Sequence, residues 1–324
     1  MMVSVCCLAY NHVRYIRDAL EGFVSQVTDF DFEVLVHDDC STDGTADIIR
    51  QYAERYPALI RPFYEAENQY SRGVHPFTAV LLPHMKGRYV AVCEGDDCWL
   101  DPRKLQKQVD YLEAHPDTVG VFANVEVVDG EGHPVNRSGV FPRKPEHEVT
   151  LEEFMGGFYH AIGQFSTLLH RNYFAEWTPE RLALRRLFKG SGDVLRSFEL
   201  LAQGRVHYMG DVMARYRYVT QGGDSWSARA RSRNMNGYYY YEKKSLFEYA
   251  EAAEGILLRD APESRQTLFY YIAKSAKRAL KGLRREDAAL TLSLCRDFIA
   301  TYGLTAFLAQ LGRKLASVLR RRKP

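Results

Sequence analysis

The chain is predicted to be an α/β protein with a mostly parallel sheet, helices on both faces, and a helical C-terminal region. Short apolar runs alternate with segments whose apolar residues recur every three to four positions, the pattern of repeated strand–helix units. From about residue 235 only the helical spacing remains. The polar clusters Tyr10-Asn11, Asp38-Asp39 and Asp96-Asp97 each directly follow a predicted strand. In open sheets of this kind ligands gather beyond the carboxyl ends of the strands, so the three clusters are expected on one rim.

Residues 3–9 (Val-Ser-Val-Cys-Cys-Leu-Ala) predict a buried first strand. A helix follows, with Tyr15-Ile16, Ala19-Leu20 and Phe23-Val24 on its apolar face. Phe32–Val36 predicts the second strand, and Ile48-Ile49, Tyr52-Ala53 and Tyr56 the next helix, ending at Pro57. A short strand at Ile60–Tyr64 leads through a polar loop to a predicted helix near Phe77–Lys86. Tyr89–Cys93 reads as another strand. Asp101-Pro102 offers N-cap and N1 chemistry for a helix carrying Leu105, Val109 and Leu112, since Asp accepts an orphan N–H and Pro needs none there. Val119–Val128, Phe165–His170 and Val206–Tyr218 are strand-like, Leu195–Leu201 is helical, and Gly130–Lys144 is rich in turns.

The 324 residues are 46% hydrophobic and 26% charged, which supports a packed core and argues against intrinsic disorder. No run of about 20 apolar residues predicts a membrane span, and the first residues lack a secretory signal's basic and apolar segments. The six cysteines are scattered without paired spacing, as expected for reduced thiols in a cytoplasmic protein. Charge is uneven. From residue 270 onward there are 13 Lys+Arg against 3 Asp+Glu, and elsewhere 30 against 38. An acidic body with a basic tail argues against nucleic acid as partner and suits work near an anionic membrane surface, here the inner face of the plasma membrane.

The sharpest chemical feature is Glu94-Gly95-Asp96-Asp97. Adjacent carboxylates at a strand end make a hard-oxygen site for Mn2+ or Mg2+, with phosphates completing the coordination. Gly95 is read as leaving room for a ligand near the backbone. Neighbouring side chains diverge, so Asp97 is assigned the metal and Asp96 a sugar or ribose hydroxyl; the plainer alternative is a solvated acidic turn. Asp38-Asp39 offers a carboxylate to a nucleobase imide, or else an Asx turn. Asp193, in Gly190-Ser191-Gly192-Asp193, is either a helix N-cap or a general base that takes the proton of an attacking hydroxyl. Arg72 and Arg14 are candidates to neutralise a phosphate, or simply face solvent. Arg215–Arg217 followed by Gln221–Trp226 reads as a strand and a Gly-rich loop able to close over a ligand, or a surface turn. Tyr238–Tyr241 reads as helical core packing, and His37 and His170 as structural. No G-x-G-x-x-G follows the first strand, and neither G-x-x-x-x-G-K-[ST] nor G-x-S-x-G occurs, which weakens dinucleotide, P-loop and serine-hydrolase readings.

Taken together, Val3-Ser4-Val5…Ala9-Tyr10-Asn11, Gln26, Val36–Thr45, Gly87-Arg88-Tyr89…Glu94–Asp97…Asp101-Pro102…Leu105…Gln108 resembles the family 2 glycosyltransferases of GT-A fold. Order and spacing agree over residues 2–117, and a looser likeness continues through Gly192-Asp193 to Tyr216-Arg217. The resemblance implies an inverting transfer of a sugar from a UDP-sugar donor to a saccharide or lipid-linked saccharide acceptor. Such chemistry belongs to bacterial capsule, O-antigen or exopolysaccharide assembly. It implies that Ala9, Tyr10, Asn11, Asp38 and Asp39 bind the nucleotide, that Arg72 lies near it, that Glu94 and Asp96 meet the nucleotide sugar, that Asp96 and Asp97 stand for the DXD-type metal pair, and that Asp193 is the catalytic base. The motif here is not a literal D-x-D, and Tyr218-Val219-Thr220 carries no histidine where many relatives have one.

The expected domains are residues 1–230, with a nucleotide-binding half (1–117) and an acceptor-binding half (118–230), and a helical region, 231–324, with a basic tail. Phe298–Gly312 is uncharged over 15 residues and is followed by Arg313-Lys314 and Arg320–Lys323. The C-terminal helices are therefore expected to make a peripheral membrane contact or to form a homodimer. Two other functions remain open at this point: a nucleotidyltransferase acting on sugar phosphates, and an inactive nucleotide-sugar-binding subunit of a synthase complex.

Overall fold

The computed structural model describes residues 1–135, 142–219, 234–282 and 284–320. The chain forms two compact units. The first comprises Met1–Thr150, Ile162–Trp177 and Gln203–Val219; the second comprises Leu151–Ala161, Thr178–Ala202 and Thr220–Pro324. Segments 151–161 and 178–202, placed by the sequence reading with the acceptor half, thus group with the C-terminal helices.

The first unit is built on a nine-stranded sheet: β1 (Val3–Ala9), β2 (Phe32–Asp38), β3 (Ile60–Tyr64), β4 (Tyr89–Val92), β5 (Cys98–Trp99), β6 (Thr118–Val128), β7 (His147–Val149), β8 (Leu169–Arg171) and β9 (Arg205–Arg217). The order is β3-β2-β1-β4-β8-β6-β9-β5, with β7 also pairing to β9. Strands β3, β2, β1 and β4 are mutually parallel. Strand β8 runs antiparallel to β4 and β6, while β6 and β9 are parallel. Parallel strands are covered on both faces, so β1 and β2 are near-continuous apolar runs. Val3, Val5, Cys7, Val34, Val36 and Ala91 share one core with Ile16, Ala19, Leu20 and Phe23 of α1 (Ile16–Val24). Each large aliphatic or aromatic side chain buried there contributes about 1.5–3 kcal/mol. Helix α2 is Thr45–Arg55 and α3 is Lys104–Ala114.

Three segments depart from expectation. Phe165–His170, expected as a strand, makes a 3-10 turn at Phe165–Thr167 before β8 begins at Leu169. Phe77–Lys86 is not a regular helix: it makes one π-helical turn at Phe77–Leu81 and a 3-10 turn at Leu82–His84. Pro83 supplies no N–H there and breaks the ladder. Helix α3 starts at Lys104, later than Asp101-Pro102. The Asp101 carboxylate still accepts the Arg103 N–H (2.8 Å) and the Lys107 ammonium (2.8 Å).

Several residues of the quoted motif hold this unit together. The Gln26 amide donates to the Asp101 carbonyl (2.9 Å) and accepts the Leu105 N–H (3.1 Å). A Cβ on Gly87 would lie 2.3 Å from the Ser4 nitrogen. Gln108 donates to the Thr167 carbonyl (2.8 Å) and accepts from Lys104 (2.7 Å), whose ammonium sits 4.4 Å from the Trp99 ring. Among the described residues all six cysteines are free thiols. Burial raises the pKa of Cys7 and Cys93, and pushes Cys98 up to about 11.

The second unit is helical: α4 (Leu151–Gly156), α5 (Pro179–Leu184), α6 (Gly192–Gln203), α7 (Asn236–Glu254), α8 (Pro262–Gly282), α9 (Arg285–Tyr302) and α10 (Leu304–Arg320). Tyr240 is buried in α7 as expected, whereas Tyr241 is exposed. Phe269 of α8, Phe298 of α9 and Phe307 of α10 meet edge to face at 5.5–6.1 Å. No described helix is long and apolar enough to cross a membrane.

Candidate active site

The ends of β1, β2 and β4 are laced into one rim of the first unit. Ala9 is in register with Asp38, and Cys6 with Val92. Beyond the strands, the Ala9 carbonyl accepts the Asp39 N–H (3.0 Å) and the Leu8 carbonyl accepts the Gly95 N–H (2.9 Å). The groups Tyr10-Asn11, Asp38-Asp39 and Glu94–Asp97 are therefore neighbours, as the sequence predicted.

Asn11 latches the first loop to the second. Its N–H donates to Ser41 Oγ (2.9 Å) and its Oδ1 accepts the Thr42 N–H (2.9 Å). The N–H of His12 reaches Thr45 Oγ1 (2.8 Å), and that of Val13 reaches Asp43 Oδ2 (2.9 Å). Asn11 (φ 55°) and Cys40 (φ 63°) both adopt the left-handed backbone region, which is disfavoured for residues with a Cβ and is compensated here by these bonds. Tyr10 remains exposed on the rim, with its ring available to a flat ligand.

Asp39 is 4% exposed. Its two carboxylate oxygens accept the backbone N–H groups of Gln69 (2.6 Å) and Tyr70 (3.1 Å). It therefore anchors the 3-10 turn Tyr70–Arg72 onto the end of β2. Arg72 stands exposed on this turn, paired with Glu67. Arg14 pairs with Glu131 at 2.7 Å. Asp38 Oδ2 accepts the Ser41 N–H (3.1 Å), while its Oδ1 is buried with no hydrogen-bond partner. Such a buried acceptor is rare unless a ligand or water completes it.

In the acidic segment, Gly95 is explained by the protein's own packing rather than by ligand access. A Cβ there would meet His12 Nδ1 at 2.9 Å, Ile16 Cδ1 at 3.0 Å and Ala9 Cβ at 3.1 Å. Glu94 is exposed. Asp96 is partly exposed, with Oδ2 4.0 Å from His12 Nε2. Asp97 is 3% exposed; Oδ1 accepts the Arg217 backbone N–H (3.0 Å) and Oδ2 accepts from the Gln164 amide (3.2 Å). Burial, then the neighbouring Asp96 charge, hold the Asp97 carboxyl well above its ordinary pKa, with the Arg217 N–H opposing. A divalent cation would relieve that penalty, because it replaces lost hydration and offsets the Asp96–Asp97 repulsion. The donors are carboxylates with no thiolate among them, which fits Mg2+ or Mn2+ completed by phosphate oxygens and water. Among the described residues no group of three or more His, Cys, Asp or Glu is arranged to hold an ion unaided.

Sequence reading missed His12, Gln164 and the backbone of Arg217. The Gln164 amide is oriented by Ser166, whose OγH donates to its Oε1 (2.6 Å), and Arg217 turns its guanidinium to Asp18 and the Tyr15 ring. Residues 221–226, expected as a closing loop, lie outside the described residues.

Asp193 belongs to the second unit. It sits inside the first turn of α6, and Ser191 performs the capping: its Oγ accepts the Asp193 N–H (3.3 Å) and its carbonyl the Val194 N–H (3.1 Å). The Asp193 side chain therefore has no capping duty. The residue as a whole is solvent-accessible, while desolvation at its carboxyl group by the surrounding protein pushes its pKa up to about 6, with Arg196 opposing and Glu242 reinforcing. The preceding loop leans on Glu242, which accepts the Ser191 N–H (2.7 Å) and pairs with the fully buried Lys243. The Lys243 ammonium also donates to the Tyr159 carbonyl (2.9 Å).

The family profile described as Glycosyl transferase family 2 matches residues 4–174, just over half of the chain. The chain belongs to glycosyl transferase family 2. Among curated relatives, a Mycobacterium tuberculosis protein of unassigned role is 47% identical over 130 residues, 40% of this chain and 37% of that protein. A Nostoc glycosyltransferase is 34% identical over 43% of this chain and 41% of its own length. The Bacillus subtilis protein TuaG, whose name assigns it to teichuronic acid biosynthesis, is 26% identical over 71% of this chain and 85% of its own. The chain thus spans about two fifths of the length of the first of these relatives. The crystal structure of Staphylococcus aureus TarS 1-349 with UDP-GlcNAc superposes with a TM-score of 0.62 at 20% identity, covering 93% of this chain and 81% of that one. That likeness establishes the GT-A architecture of this family 2 member.

Proposed function

We propose that this family 2 protein is an inverting glycosyltransferase that moves a sugar from a UDP-sugar to a hydroxyl of a saccharide or lipid-linked saccharide in cell-surface polysaccharide assembly. The observation that carries the reading is the meeting of Tyr10, Asp39 and Asp96-Asp97 at three adjacent strand ends, in a chain whose family is glycosyltransferase. Tyr10 lines the base, with Ala9, Asn11 and Asp38 forming the floor beside it. Asp39 presents its carboxylate to the base edge and carries the turn bearing Arg72 toward the phosphates. Asp96 and Asp97, with Glu94 nearby in sequence, would hold a divalent ion, which would supply positive charge to offset that of the departing diphosphate. Asp193 accepts the proton of the attacking hydroxyl as its oxygen bonds to the anomeric carbon and the bond to UDP breaks. A single displacement of this kind inverts the anomeric centre.

Hydrolysis or transfer assays over UDP- and GDP-sugars test the reading. UDP release from at least one UDP-sugar is expected, and a protein that neither binds nor consumes any nucleotide sugar would refute it. Chelation by EDTA is expected to weaken UDP binding in calorimetry; equal affinity with and without chelator removes the ion from Asp96-Asp97. Asp193 must be ionised to act as base. With its pKa near 6, transfer is expected to fall about tenfold per pH unit below that value and to level off above it. A flat profile between pH 5 and pH 7 contradicts the assignment of this base.

A further inference from the structure

An open groove in the second unit, about 500 Å3, is lined by Lys274, Lys277, Arg278, Lys281, Arg284 and Asp287. The first four recur at i, i+3, i+4 and i+7, so they share one face of α8. The groove contains one acid, Asp287, which is buried. It accepts the Asn234 amide (2.6 Å) and lies 3.5 Å from Arg278 Nε. Lys274 lies over the Tyr270 ring at 4.8 Å. Among the described residues Lys277, Lys281 and Arg284 have no carboxylate partner. Five cations against one committed carboxylate leave a groove that attracts phosphates.

The exposed leucine among the lysines specifies the source of those phosphates. Leu280 stands on the same helix between Lys277 and Lys281 and is 80% exposed. In α10, Leu304, Leu308 and Leu311 are 57%, 54% and 38% exposed. They are spaced i, i+4 and i+7, one stripe beside Phe307, which packs inward on Phe269 and Phe298. A soluble phosphate would satisfy the cations and leave Leu280 in water. The interface of an anionic bilayer covers both, with headgroup phosphates on the lysines and acyl chains against Leu280.

We propose that the cationic groove of α8, with Leu280 at its edge, is a docking site for the anionic surface of a lipid bilayer. The site is independent of the transferase reading, because none of its residues enters the donor chemistry. Co-sedimentation of the full chain with phosphatidylcholine vesicles, with and without phosphatidylglycerol, tests it. Binding is expected only to the vesicles containing phosphatidylglycerol and is expected to weaken as salt rises. Each neutralised lysine is expected to lower vesicle affinity about fivefold, so Lys277→Gln/Lys281→Gln loses roughly 25-fold. Leu280→Gln loses about tenfold. These side chains are exposed, so unchanged melting temperatures accompany the losses. Equal binding to neutral vesicles, binding insensitive to salt, or variants that bind like wild type would each overturn the proposal. Binding of inorganic pyrophosphate without vesicle binding would give the groove to a soluble anion. Self-association lost in Leu280→Gln without vesicle binding would give it to a second copy of the chain. Either result also overturns the proposal. Nucleotide-sugar consumption by the same variants, measured without lipid, is expected to be unchanged and separates this test from that of the transferase reading.

Discussion

Asp193→Asn is expected to lower sugar transfer by a factor of about 10²–10⁴ while UDP affinity stays within error of wild type. The amide keeps the size of the carboxylate but cannot take a proton from a hydroxyl. Ser191, not Asp193, caps α6, so the substitution leaves the helix start intact and a loss of rate cannot be charged to unfolding. The carboxyl's raised pKa, about 6, makes it a stronger base than an ordinary aspartate while leaving it ionised at neutral pH. The acid limb of the pH profile is expected to disappear with the side chain that causes it. Retained wild-type turnover in this variant would remove Asp193 from the chemistry.

Glu242→Leu is expected to destabilise the second unit by about 3–5 kcal/mol, because it strands the Lys243 ammonium without its counter-charge. Lys243 is fully buried, and burial already depresses its pKa while Glu242 opposes the shift. The same substitution removes the acceptor of the Ser191 N–H, so the loop leading into Asp193 loses its support. Thermal denaturation is expected to move down by roughly 10 °C or more. Removing both charges in Glu242→Leu/Lys243→Met is expected to recover most of that stability but not the loop's anchor. A single variant that melts like wild type would show that the pair is not buried in solution.

The strand ends were legible because two local signals coincide there: an apolar run and an abrupt polar cluster. Both arise from parallel strands that are buried along their length and open at the tip. Asp39 shows where such reading stops. Its type and place pointed to the crevice, but its partners are backbone N–H groups of Gln69 and Tyr70, and a backbone N–H leaves no mark in a sequence. Gly95 was placed correctly and explained wrongly, since its neighbours Ala9 and His12 come from a strand end more than 80 residues earlier. Gln164 has no local pattern at all; it matters only because β8 carries its loop beside β4. The Glu242-Lys243 pair did carry a signal, two charges inside an aromatic helix, but the site it supports lies about 50 residues upstream. The segment at 77–86 misled because its apolar spacing is helical while Pro83 forbids a helical ladder.

The distribution of thiols gives this fold a ready optical handle. Cys6, Cys7, Cys93 and Cys98 are buried, and burial keeps three of them protonated, so a maleimide dye would leave them untouched. Cys40 is partly accessible and stands between Asp39 and Ser41. With Cys295 changed to serine, a fluorophore at Cys40 would sit at the mouth of the crevice and report occupancy directly, even for donors that are never turned over.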